Sequence, residues 1–314
     1  MRATFVMSYP ASDWHVAAAA TPRAKAGPAS PRAALAEWIA LADAVTTAGG
    51  HVLVCDPPAG AAPRPTGLPY AADWGALVRR DDRPLFLVPR AAAAHRAADT
   101  PIVTDFFAAA GVEVQPLPCA FAGRGDLVQV GPGRYLFVAG ARATPDAAAL
   151  VARELGETAR FVAARVRPPF AFGDEVAAML VNKAGDGVML VHEAGLADRT
   201  IADLRSAFNK VDVISVDAED AAAGACTALC VHGTVLHPPG LSTAVRSHLI
   251  RRGFQLVELD LPQLFGRGGG GPHALVNELV GFVVGAGAPD YPRGRDRIVA
   301  LLETYPETHP GSPA

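Results

Sequence analysis

Apolar residues spaced three and four apart alternate along this chain with short β-branched runs, and the combination recurs five times. In residues 31–48, Leu35, Trp38, Ile39, Ala42 and Val45 fall on one helical stripe, followed by Gly49-Gly50 and the run His51-Val52-Leu53-Val54. Residues 100–110 lead through Gly111 to Val112-Glu113-Val114, and residues 145–155 through Gly156 to Arg160-Phe161-Val162-Ala163. Residues 200–208 lead through Asn209 to 211–216, and residues 242–252 through Gly253 to 254–257. The spacing makes each helix one-sided. A glycine just past the last turn is the usual left-handed stop, and Asn209 takes that place once.

Two further strand-like runs follow each of these segments, joined by a turn. They are 76–78 and 84–88 around Asp81-Asp82, 126–130 and 134–138 around Gly131-Pro132-Gly133, 175–181 and 188–192 around Gly185-Asp186-Gly187, and 227–231 and 234–236 around His232-Gly233. Such turns mark hairpins. The last unit has the run 274–284 without a partner, and Thr4-Phe5-Val6-Met7 is the strand left over to supply it. The pattern predicts an α/β fold: a five-unit pseudo-symmetric α/β propeller in which each helix and strand belongs with the hairpin after it, closed by the N-terminal strand. Residues 1–305 form one domain in this reading, and the proline-bearing residues 306–314 a disordered tail.

With 314 residues, one large or two ordinary domains are allowed, and a repeat running the whole length favours one. A net charge of −3 offers no basic field for phosphate backbones, so nucleic acid is excluded as a partner. No apolar run approaches the ~20 residues of a membrane span, and the N-terminus lacks the apolar core of a secretory signal. Cys55, Cys119, Cys226 and Cys230 are too few and scattered for a disulfide framework. These features predict a cytoplasmic protein without membrane partners. Cys226 and Cys230 lack a matching second pair and no His-x-x-x-His occurs, so no metal is expected. Gly266 and Gly268 to Gly271 do not lead from a strand into a capped helix; they read as a flexible axial loop rather than a phosphate cradle, and no cofactor is expected.

In a ring of such units the loop before each hairpin faces the axis: here residues 67–75, 121–126, 170–175, 224–227 and 268–275. These loops carry a resemblance. Phe121-Ala122-Gly123-Arg124-Gly125-Asp126 with Ala141-Arg142-Ala143-Thr144, Leu68-Pro69-Tyr70-Ala71-Ala72-Asp73, His95-Arg96-Ala97-Ala98-Asp99 and Gly268–Gly271 with Pro272-His273-Ala274-Leu275 occur in the order found in the guanidino-group-modifying superfamily. That superfamily, of pentein fold, includes dimethylarginine dimethylaminohydrolases, arginine and agmatine deiminases, and amidinotransferases. The resemblance covers nearly the whole chain and implies the same five-unit propeller. It also implies a chemistry: a thiolate attacks the guanidinium carbon, a histidine shuttles protons, a glutamate orients that histidine, and two carboxylates clamp the guanidinium.

Matched loop by loop, Ala274 stands where the nucleophile belongs, Phe172 where the histidine belongs and Ala122 where the glutamate belongs. Asp73 and Asp174 match the guanidinium-binding carboxylates. An alanine methyl cannot attack and a phenyl ring cannot carry a proton, and a set that acts as a unit fails as a unit. The resemblance therefore implies a non-catalytic pseudoenzyme that binds a peptide or small cationic ligand through Asp73, Asp126, Asp174 and His273, as an accessory to a partner enzyme in a peptide or natural-product pathway. Two alternatives stay open: a guanidino hydrolase or amidinotransferase rebuilt around Cys226 with His273 as base, and a scaffold used for its outer surface.

Overall fold

The computed structural model describes residues 3–16, 29–58, 60, 66–80, 83–93, 96–280 and 289–308. The expected turn at Asp81-Asp82, His95, the end of the run 274–284 and residues 309–314 of the tail lie outside them.

Strand β1 (Thr4–Met7) crosses through helix α1 (Pro31–Thr47) and returns as β2 (His51–Val54), parallel to β1 with Thr4 opposite His51. Strands β3 (Ala76–Arg80) and β4 (Arg83–Val88) form an antiparallel hairpin, and after α2 (Asp99–Ala109) strand β5 (Glu113–Pro116) lies parallel to β4. The short helix α3 (Gly123–Asp126) opens the next unit: β6 (Leu127–Gly131), β7 (Arg134–Ala139), α4 (Ala147–Leu155) and β8 (Arg160–Arg165). The same order recurs in β9 (Ala177–Val181), β10 (Gly187–Val191), α5 (Ile201–Ala207) and β11 (Val211–Ser215). After α6 (Ala218–Ala223) it recurs in β12 (Leu229–Val231), β13 (Thr234–His237), α7 (Thr243–Arg251) and β14 (Gln255–Glu258). Strand β15 (Asn277–Glu278) runs antiparallel to β1, and α8 (Tyr291–Ala300) follows.

The described residues thus form a mixed α/β structure of five three-stranded sheets. The first, ordered β15-β1-β2, draws on both ends of the chain: Phe5 lies opposite Glu278 and Val6 opposite Asn277. The phase of the repeat differs from the one the sequence predicts. The strand after each helix joins the hairpin before that helix, not the hairpin after it. A crossover helix returns the chain beside the strand it has just left. The order hairpin, helix, strand repeats along the chain, so its linear pattern is the same in either phase.

Helix α1 shows why these segments fold as they do. Ser30 caps it, its Oγ accepting from the Ala33 N–H at 3.0 Å. The whole predicted stripe, Leu35, Trp38, Ile39, Ala42 and Val45, is buried, with Trp38 edge-on to Tyr9 and to Tyr291 of α8. Each such side chain removed from water contributes about 2 kcal/mol. In the next unit Phe86 of β4 stacks on Phe107 of α2 at 3.7 Å between centroids.

A tight turn precedes each hairpin, and these turns dock on one another through their backbones. The Arg124 N–H donates to the Gly75 carbonyl at 3.1 Å, the His273 N–H to Thr227 at 2.9 Å, and the Ala72 N–H to Ala274 at 3.1 Å. Gly123, at φ +49°, makes the closest of these approaches: a Cβ there would lie 2.3 Å from the Ala72 carbonyl oxygen and 2.6 Å from Gly75 N and O. Gly123→Ala is therefore expected to lower stability by about 2–3 kcal/mol, read as a fall in thermal melting temperature.

Candidate functional site

Above these turns lies a cleft of two adjoining lobes. Tyr70, Thr227, Asp174, Glu175, Ala274 and the glycine run 268–271 line the first. Trp74, Arg90, Val103, Phe121 and Ala122 line the second. Asp73, Arg96, Arg142 and Phe172 border both. The three positions at which the resemblance predicts lost reactive groups, Ala122, Phe172 and Ala274, thus face one cleft together with Asp73 and Asp174.

Asp73 is the third residue of the 3₁₀ turn Ala71–Trp74, and Asp174 lies within the turn Gly173–Glu175. Gly125 lies between their carboxylates: a Cβ on it would sit 3.4 Å from Asp73 Oδ1 and 3.8 Å from Asp174 Cγ. Burial pushes the Asp73 carboxyl upward, and the charges of Arg96 and Arg142 oppose that. Arg96 is itself anchored: Nη1 lies 3.4 Å from Asp73 Oδ2, Nε lies 3.0 Å from Asp99 Oδ2, and Nη2 donates to the Tyr70 carbonyl at 3.3 Å. Burial raises Asp99 to about 6 against the pull of Arg96. The Arg142 guanidinium lies 5.1 Å over the Phe172 ring, a cation–π pair that only an aromatic residue at 172 provides.

The other predicted residues sit apart from the cleft lining. Asp126 is wholly buried. Its Oδ2 accepts from the Ala122 N–H at 2.8 Å and its Oδ1 from the Gly173 N–H at 3.1 Å, so it ties two loops together. Burial pushes its carboxyl up to about 7. His273 stands behind Asp174, with Nδ1 3.1 Å from Oδ2. Cys226 is wholly buried among Leu180, Leu190 and Val235, and it lines neither lobe. A site rebuilt around its thiol has no access to the cleft.

The glycine run is not the free loop the sequence suggests. A Cβ on Gly270 would lie 2.5 Å from Tyr70 Cδ1, and one on Gly271 2.1 Å from Thr227 Oγ1. Gly268 and Gly270 pack against the Tyr70 ring, whose hydroxyl donates to the Leu264 carbonyl at 3.2 Å. Arg96, Arg142 and Tyr70 are among the cleft residues that the sequence reading did not assign; all three lie inside the motifs that carry the resemblance. Among the described residues no group of three His, Cys, Asp or Glu is arranged to hold a metal, and no helix is long and apolar enough to cross a membrane.

No protein-family model matches this chain, and no curated protein matches it in sequence. Solved structures do. The N-terminal domain of ArgZ, an arginine dihydrolase from the ornithine–ammonia cycle in cyanobacteria, superposes with a TM-score of 0.76 at 20% identity, covering 88% of this chain and 97% of that one. AgrE in complex with ornithine and NAD+ gives 0.76 at 21% identity, covering 92% of this chain and 40% of AgrE. A dimethylarginine dimethylaminohydrolase adduct gives 0.64 at 16% identity, covering 89% and 100%. The chain has the fold of these guanidino-modifying proteins. The propeller family that the loop motifs resemble is therefore also the family of its structural neighbours.

The buried acids set a pH dependence. Glu37 of α1 accepts from the Gln263 and Leu264 amides, and burial raises it to about 7, as it raises Asp126. A carboxyl whose folded pKa exceeds its unfolded one binds its proton more tightly in the folded state. Its contribution is complete below about pH 4 and is lost as pH rises through about 7. The melting temperature is expected to fall by roughly 5 °C between about pH 5 and pH 8, and Asp126→Asn to remove part of that fall.

Proposed function

We propose that this protein is a non-catalytic binding protein, a pseudoenzyme that holds a cationic ligand of guanidinium type, free or displayed on a peptide. In this reading residues 1–305 are one domain, the five sheets close into a ring around the cleft through the N-terminal strand, and the protein works in the cytoplasm beside a partner enzyme that acts on the ligand.

One observation carries the proposal: Ala122, Phe172 and Ala274 border the cleft that Asp73 and Asp174 flank. Two carboxylates on either side of one point suit a planar cation with N–H groups on two edges. No cysteine lines either lobe. His15 does border the first lobe, with Nδ1 3.2 Å from the Asp13 carbonyl, but with no thiol beside it the covalent intermediate of the resembled chemistry cannot form. Arg96 and Arg142 place positive charge beside the carboxylates, which favours a ligand of both signs, such as L-arginine or an arginine-bearing peptide. The neighbours support binding without chemistry: AgrE in which a cysteine is changed to alanine is seen with L-arginine, and ArgZ in which a cysteine is changed to serine is seen bound to substrate.

Titration calorimetry with L-arginine and with arginine-bearing peptides is expected to show binding without release of citrulline, ornithine or ammonia. Asp73→Ala with Asp174→Ala is expected to weaken binding about a hundredfold or more, since each removes a charge-assisted bond. Turnover of L-arginine by the wild-type chain would overturn the proposal.

A further inference from the structure

His273 sits between two cavities. On one side is the cleft, reached through Asp174. On the other is a cavity lined by Arg124, Gln129, Met179, Cys230 and Glu278. The side chain is 14% exposed, and the backbone on both sides of it is clamped: its own N–H to Thr227, and the Ala274 carbonyl to Ala72. The charged groups facing the ring are Asp174 and Asp73 on the cleft side and Arg124 and Glu278 on the other. Arg124 and Glu278 pair with each other at 3.0 Å.

Burial and the Arg124 charge push the imidazole down to about 3, so it is neutral at physiological pH. A carboxylate oxygen only accepts, which assigns the hydrogen at the 3.1 Å contact to Nδ1. A neutral donor and a cationic donor would act oppositely here. A lysine or imidazolium beside Asp174 would cancel the charge that draws a ligand, whereas a neutral N–H fixes one oxygen and leaves the charge in place.

We propose that His273 is a positioning residue for the cation site, holding the Asp174 carboxylate toward the cleft as a neutral Nδ1–H donor without neutralising it. This rests on the reading of the cleft as a cation site.

The test compares L-arginine binding by calorimetry in the wild-type chain and in His273→Asn, His273→Gln and His273→Lys, with melting temperatures recorded for each. ¹⁵N NMR of the wild-type imidazole supplies a readout independent of ligand. Asparagine places its amide nitrogen where Nδ1 lies and is expected to bind within about threefold of wild type; glutamine places it near Nε2 and is expected to lose about tenfold or more. The lysine variant is expected to show no binding, and the imidazole to stay neutral with the Nδ1–H tautomer from about pH 5 to pH 8. Wild-type affinity in the glutamine or lysine variant, an asparagine variant as weak as the glutamine one, or an imidazolium in that pH range would overturn the proposal. A wild-type chain that ignores L-arginine would overturn the cation-site reading beneath it, and the imidazole spectrum separates that failure from a broken His273–Asp174 bond.

Discussion

The cleft depends on the cost of burying a carboxylate and on how the chain meets it. Asp126 lies where no water reaches, and its oxygens are satisfied by amides of Ala122 and Gly173, which belong to turns opening two different sheets. An unsatisfied buried carboxylate would cost several kcal/mol; satisfied from two loops, it fixes one relative to the other. Ala122 itself and Phe172, which precedes Gly173, are thereby held in the lining of the cleft. Glu37 acts similarly from α1, its carboxylate gripping the backbone at Gln263 and Leu264 ahead of the glycine run. Acids placed away from the cleft lining shape its walls.

Asp73 and Asp174, by contrast, are at the cleft, and each is already engaged by a neighbour. Arg96 holds Asp73, and His273 holds Asp174. The two partners differ in kind. One is a full positive charge itself shared with Asp99; the other is a neutral ring. Asp73 therefore sits beside a guanidinium in the cleft, and Asp174 beside an imidazole. Phe172 and Arg142 complete this asymmetry, because the phenyl ring gives the guanidinium a face on which to rest.

Much of this was legible in the chain. The stripe from Leu35 to Val45 is buried as its spacing predicts, and the leftover strand at Thr4–Met7 does pair with the C-terminal run, at Asn277–Glu278. The loops that carry the motifs do line one cleft. The phase of the repeat was not legible, because a circular order reads the same from either starting point, and only the parallel pairing after each helix decides it. Nor was the part played by Asp126. Its position in a motif suggests a ligand contact, while its burial makes it a tie between loops. The glycine run hid a packing requirement, since nothing in the chain's order says that Tyr70, some two hundred positions earlier, lies beneath it.

By itself the sequence determined which segments are one-sided helices and where the hairpins turn. Those properties follow from local spacing and residue type, which the chain carries in its own order. Tertiary structure alone decided which acids meet the cleft and which brace it, that Arg96 and Arg142 share the cleft, and that His273 stands behind Asp174. Burial and charge pairing are set by neighbours distant in sequence, and no local pattern encodes them.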